Sequence, residues 1–162
     1  MQTTQATQAI HAREIHTMDN FQKYEIIESM FLSAWNQAEM IFSQARKPEN
    51  KPALSFCNKA TGAAGTYYSK TKTVEINIAY LCEKNREHMQ TTIVHEICHH
   101  LQTIVYRSFQ QWHGPEFRNI MQLMGEQGKT YHRMNVREAK QRVKANKIAE
   151  SNGVDLLASF DI

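Results

Sequence analysis

Cysteine is scarce in this chain, and its scarcity excludes two architectures. The three cysteines, Cys57, Cys82 and Cys98, form no CxxC pair and are too few for a four-cysteine zinc ribbon. An odd, scattered set fits a reducing compartment rather than a disulfide framework. Long apolar runs are missing too. No stretch reaches the roughly eighteen apolar residues of a membrane span, so no membrane partner is expected. The N-terminal MQTTQATQAIHAREIH lacks the basic start and apolar block of a secretory signal, and the expected location is the cytoplasm. Strong charge of one sign is also absent. A formal net charge of +3 permits contact with nucleic acid without demanding it. No internal repeat is present.

What is there suits one domain. The chain has 162 residues, 41% hydrophobic and 22% charged, enough for a real core and too short for two comfortable domains. Residues 1–17, rich in Gln, Thr and Ala, are expected to form a mobile tail or a loosely held helix, with His11 and His16 solvated. A long helix is predicted from a cap at Thr17 or Asp19 to the Arg46-Lys47-Pro48 stop. Its apolar stripe is Phe21, Tyr24, Ile27, Phe31, Ala34, Trp35, Ala38, Ile41 and Phe42. A strand is expected over 53–57, then a turn-rich loop over 58–65. A hairpin follows, over 66–69 and 73–80, with Val74, Ile76, Ile78 and Tyr80 on one buried face. Leu81 to Glu87 reads as a charged connection.

The densest chemistry lies in the next stretch, Thr91 to Arg118. His95-Glu96-Ile97-Cys98-His99 is an HExxH motif on a helical pattern whose apolar positions are Ile93, Ile97, Leu101, Ile104 and Val105. Positions i and i+4 share a helix face, so two imidazoles can reach one metal ion. Glu96 is turned to the outer side of that ion, where a carboxylate serves as general base. This is the layout of a zinc peptidase. The third ligand expected is His113, fourteen positions after His99 and followed by Gly114 and Pro115. Those two residues read as a turn and the start of a second helix, through Phe117, Ile120, Met121 and Met124 to Gly125. His100 is a rival ligand, but only the His95/His99 register leaves a glutamate free. His88 reads as solvent-exposed, and Cys98 as a small buried residue off the ligand face. The fold expected from these elements is α+β: a long N-terminal helix, a small mostly antiparallel sheet, the HExxH helix and a following helix.

Thr92-x-x-His95-Glu96-x-x-His99, followed by Trp112-His113-Gly114-Pro115-Glu116-Phe117, resembles the SprT-like metallopeptidases, which include the Spartan proteases of DNA repair. The resemblance runs back through Gly65-Thr66-Tyr67-Tyr68 and forward to Tyr131-His132-Arg133-Met134, over about residues 20–136. It implies a zincin-like minimal metalloprotease domain over 18–136. His95, His99 and His113 would hold one Zn²⁺ and Glu96 would be the catalytic base. It also implies protein substrates bound or crosslinked to DNA. Many members carry a zinc ribbon after the protease core, which this chain lacks. Tyr131 or His132 is a candidate for stabilising an oxyanion. Residues 137–162 are expected to form a basic helix and a C-terminal tail. Within 133–147, Arg133, Arg137, Lys140, Arg142, Lys144 and Lys147 stand against Glu138, as a solvated face or a phosphate-contacting surface. The end, 154–162, is a docking segment or a partner-binding peptide. A monomer is expected.

Overall fold

The computed structural model describes residues 19–59, 62–106, 108, 110–126, 141, 144 and 148. The expectations for 1–17, for Tyr131 and His132, for most of 133–147 and for 154–162 lie outside the described residues.

Helix α1 is Asn20–Ile41. It begins with a reciprocal cap: the Asp19 carboxylate accepts the Gln22 N–H at 2.8 Å, and the Gln22 amide oxygen accepts the Asp19 N–H at 3.2 Å. Ile27, Phe31, Ala34, Trp35 and Ala38 form its buried stripe. Phe21 and Ile41, at the two ends of the predicted stripe, are exposed. The helix stops before the expected proline. The Arg46 guanidinium folds back and donates from Nε to the Glu39 carbonyl at 2.8 Å, satisfying an otherwise orphaned helix-end acceptor. Short 3₁₀ turns, Ser43–Arg46 and Pro48–Asn50, lead to the sheet.

Three strands follow, β1 (Ala53–Cys57), β2 (Gly65–Tyr68) and β3 (Thr73–Asn77), in the order β1-β3-β2. β2 and β3 are the expected antiparallel hairpin, with Tyr67 opposite Val74. β1 pairs with β3 in parallel, Leu54 opposite Val74, so the sheet is mixed rather than mostly antiparallel. Asn77 fixes that crossover. Its side chain donates to the Lys59 carbonyl at 3.0 Å and accepts the Lys59 N–H at 3.1 Å, while its own N–H donates to the Ala64 carbonyl at 2.8 Å. The same side chain accepts the Ala79 N–H at 3.2 Å, which ends the strand and opens a 3₁₀ turn at Ile78–Tyr80. Strand β3 is therefore shorter than its alternating pattern suggested, although Ile78 and Tyr80 are buried as expected.

The connection to the next helix is also less solvated than its charges suggested, since Leu81, Cys82 and Asn85 are buried. Helix α2 is Arg86–Val105 and helix α3 is Pro115–Leu123, the latter with proline in its first turn. α2 runs through the centre, touching α1, β2, β3 and α3. Its residues 92–102 are all buried. The core joins Trp35 and Phe31 of α1, Val74 and Ile76 of β3, Ile93, Ile97 and Leu101 of α2, and Phe117 and Ile120 of α3. The architecture is α+β. Among the described residues, no helix is long and apolar enough to cross a membrane.

Candidate metal centre and its cleft

His95 and His99 lie one turn apart on α2, with their Nε2 atoms 3.1 Å from each other. His113 comes from the turn before α3, and its Nε2 is 3.1 Å from that of His95 and 3.1 Å from that of His99. The three nitrogens form an equilateral triangle. Three contacts hold the turn: the buried Gln102 side chain donates to the Gln111 carbonyl at 2.9 Å, the Gly114 N–H donates to the same carbonyl at 3.2 Å, and Arg118 donates to the His113 carbonyl at 3.2 Å. Phe117, read from the sequence as an apolar residue of α3, is also the floor of the triangle. Its ring centroid is 4.9 Å from His95, 4.5 Å from His99 and 4.9 Å from His113.

The donor set fits a metal ion. Tetrahedral zinc at about 2.0–2.1 Å from each imidazole spaces its nitrogens about 3.4 Å apart, within a few tenths of the observed triangle. Two of the rings are also pushed towards the neutral form, which is the one that binds metal. Burial, followed by the neighbouring His95 and His113, pushes His99 down to about 3. Burial lowers His113 as well. Among the described residues these three side chains are the group that can converge on one ion.

Glu96 stands beside the triangle and is not one of its ligands. Burial pushes its carboxyl up to about 7, an effect partly offset by the backbone N–H of Tyr67, which donates to it. That N–H brings β2 into the site. Among the described residues β2 has β3 on one side only, and on the other it borders a cleft of about 510 Å³. Gly65, Thr66 and Tyr67 form one wall, His95, Glu96 and His99 the base, and Trp112 and His113 the rim. The strand lies so close to α2 that a side chain has no room at position 65. A Cβ there would sit 2.8 Å from both Glu96 Cγ and Thr92 Cγ2. Glycine at the start of β2 is what lets the edge strand approach the carboxylate.

The other candidates separate cleanly. His100 is fully buried on another side of α2, bonded through Nε2 to the Asn50 carbonyl and through Nδ1 to the Tyr67 hydroxyl, at 2.9 Å in the second case. His88 is exposed, and Cys98 is fully buried with its thiol pushed up by burial. The roles of Tyr67 and Phe117 were not read from the sequence. The glycine-aromatic run at 65–68 was the signal for the first, and the phenylalanine four positions after His113 for the second.

A model of the SprT-like family matches residues 31–142. No curated protein and no solved structure matches the chain.

Proposed function

The chain belongs to the SprT-like family, a metallopeptidase-like group, and from that membership we propose that it is a zinc-dependent endopeptidase acting on proteins bound or crosslinked to DNA. The observation that carries the peptidase reading is the pairing of two features. Three imidazole nitrogens converge at 3.1 Å, and a buried carboxylate beside them is left out of the triangle. A purely structural metal site has no use for such a carboxylate.

His95, His99 and His113 hold one Zn²⁺ in this reading. When bound, zinc supplies Lewis acidity, polarising a carbonyl and acidifying water. The chain's own residues do the rest. Glu96, buried beside the triangle and outside it, is placed to accept a proton from water and return it to the leaving amine. The free edge of β2 offers main-chain groups other than the Tyr67 N–H to an extended peptide, which would lie along the cleft beside Gly65 and Glu96, because the Tyr67 and Trp112 rings touch edge to face with centroids 6.3 Å apart. An extended segment enters such a cleft more readily than a folded one, so unfolded or loosened protein is the preferred substrate.

The DNA element rests on the resemblance to the Spartan group, and the basic residues Arg133, Arg137, Lys140, Arg142, Lys144 and Lys147 are compatible with it. Contact with DNA would fall to that stretch or to a partner. A monomer working in the cytoplasm is part of the same proposal.

The test is proteolysis of a DNA-binding protein, with and without single-stranded DNA, beside Glu96→Ala. Cleavage that requires DNA and falls by at least about 10²-fold in the variant is the expected result. Cleavage indifferent to DNA would leave a general peptidase. If the zinc-loaded protein cuts nothing, it is instead a metal-stabilised binding module.

A further inference from the structure

Tyr67 is fastened to α2 at both of its ends. Its backbone N–H faces the Glu96 carboxylate, on a strand so close to α2 that a Cβ on Gly65 would lie 3.3 Å from Glu96 Oε1, and its hydroxyl lies 2.9 Å from Nδ1 of His100, one helical turn further on. The direction of the second bond follows from the other side of the His100 ring. There Nε2 meets the Asn50 carbonyl, which can only accept, so Nε2 carries the ring proton. In the neutral ring Nδ1 is then an acceptor, and the phenol must donate to it. Thr103 closes the arrangement. Its hydroxyl gives its proton to the His100 carbonyl at 2.7 Å and stands 3.4 Å from the Tyr67 oxygen. Trp35 of α1 packs its ring 5.8 Å from that of His100 and fixes the imidazole from behind.

We propose that His100 and Tyr67 are positioning residues: the imidazole anchors the phenol, and the anchored residue holds its own N–H on the Glu96 carboxylate. The pair thereby sets both the aim of the carboxylate and the spacing between β2 and α2. This rests on the peptidase reading for its catalytic consequence, but the staple itself is a property of the metal-free chain. Nothing else described fixes Tyr67 in this way. At the neighbouring position, Tyr68 sends its hydroxyl to Glu75 on β3, away from α2.

Three variants separate positioning from mere packing. Tyr67→Phe removes the phenol donor. His100→Gln keeps a donor near the Nε2 position for the Asn50 carbonyl and loses the acceptor. His100→Asn places an acceptor at the Nδ1 position and loses the donor. Each is measured for kcat and KM on an unstructured protein substrate, for its thermal midpoint, and for amide hydrogen exchange at position 67 in the metal-free protein. Tyr67→Phe and His100→Gln are expected to lose roughly tenfold in kcat with KM little changed, a fraction of the ~10²-fold that a 1 Å misplacement costs. Both should also exchange the position-67 amide roughly tenfold faster. His100→Asn should stay within about threefold of the wild type in both readouts despite its lost bond to Asn50, because the acceptor that matters is kept. Unchanged amide exchange in Tyr67→Phe overturns the staple. A kcat that follows the thermal midpoint across all three variants overturns the positioning role. If the wild-type protein cleaves nothing, the peptidase reading fails on its own, and the exchange ranking alone decides whether the staple exists.

Discussion

Helices α1 and α2 are nearly equal in length, 22 and 20 residues, and opposite in character. α1 buries one stripe, all of it apolar, and leaves Phe21 and Met40 in solvent. α2 is buried on every side over residues 92–102 and takes Thr92, His95, Glu96, His99, His100 and Gln102 inside with it. Burying such groups without partners would cost several kcal/mol in total. Four of them find partners, one within the helix and the rest on neighbouring segments: the Thr92 hydroxyl donates to the His88 carbonyl, the Tyr67 N–H meets Glu96, Asn50 and Tyr67 meet His100, and Gln111 meets Gln102. A helix held by one apolar stripe needs only its neighbours' shape. A helix surrounded on all sides needs their hydrogen-bonding groups, and this one carries the histidines and the glutamate of the candidate site.

The contrast predicts where substitutions will hurt and in what way. The largest stability loss should come from the α1 stripe. Trp35→Ala empties a site that is 1% exposed and packs against His100, and should cost about 3–5 kcal/mol in chemical denaturation. A loss below about 1 kcal/mol would mean that the stripe is not what holds α1.

On α2 a substitution should stabilise, in a pH-dependent way. The Glu96 carboxyl is raised in the folded chain from 4.5 to about 7, so between those values the unfolded state is ionised while the folded state still keeps its proton. Folding stability is therefore lost as pH rises through that window, and the full cost is present above it. Glu96→Gln removes the cost and keeps an acceptor for the Tyr67 N–H. The metal-free variant should gain about 2–3 kcal/mol at pH 8 and almost nothing at pH 4, read from urea denaturation at both. A gain independent of pH would show that the carboxylate is not buried in a raised state.

The smallest effect should be at the exposed start of α1. Phe21→Ser, at a residue 67% exposed, should shift stability by no more than about 0.5 kcal/mol. A larger loss would give this end of α1 a partner, and the comparison between the helices would need redrawing.

The same contrast explains what could be read in advance. The α1 stripe was legible because its burial is one-sided and so leaves a helical period. Its end was not, because Arg46 turning back to the Glu39 carbonyl has no pattern of its own beside the obvious Pro48. The histidine triad could be proposed because two of its members sit one turn apart on a single helix and the third precedes a Gly-Pro helix start. Which way β1 runs was hidden, since it depends on Asn77 reaching across to Lys59, eighteen residues away in the chain. The hold on Glu96 was hidden as well. It comes from a backbone N–H, which every residue but proline carries, and only the closeness of Gly65 to α2 reveals it.

The histidine triangle has one more consequence, which belongs to polymer physics rather than to chemistry. An ion shared by His99 and His113 would cross-link the chain and close a loop of about 15 residues, for which loop-closure entropy is on the order of 3 kcal/mol. His95 and His99 already share a rigid helix, so that tie restrains little, and nearly all of the restraint falls on the turn before α3. Stripping the metal with a chelator should thus release amide protection first around residues 110–123, while β1 and β3, which carry no part of the cross-link, keep theirs.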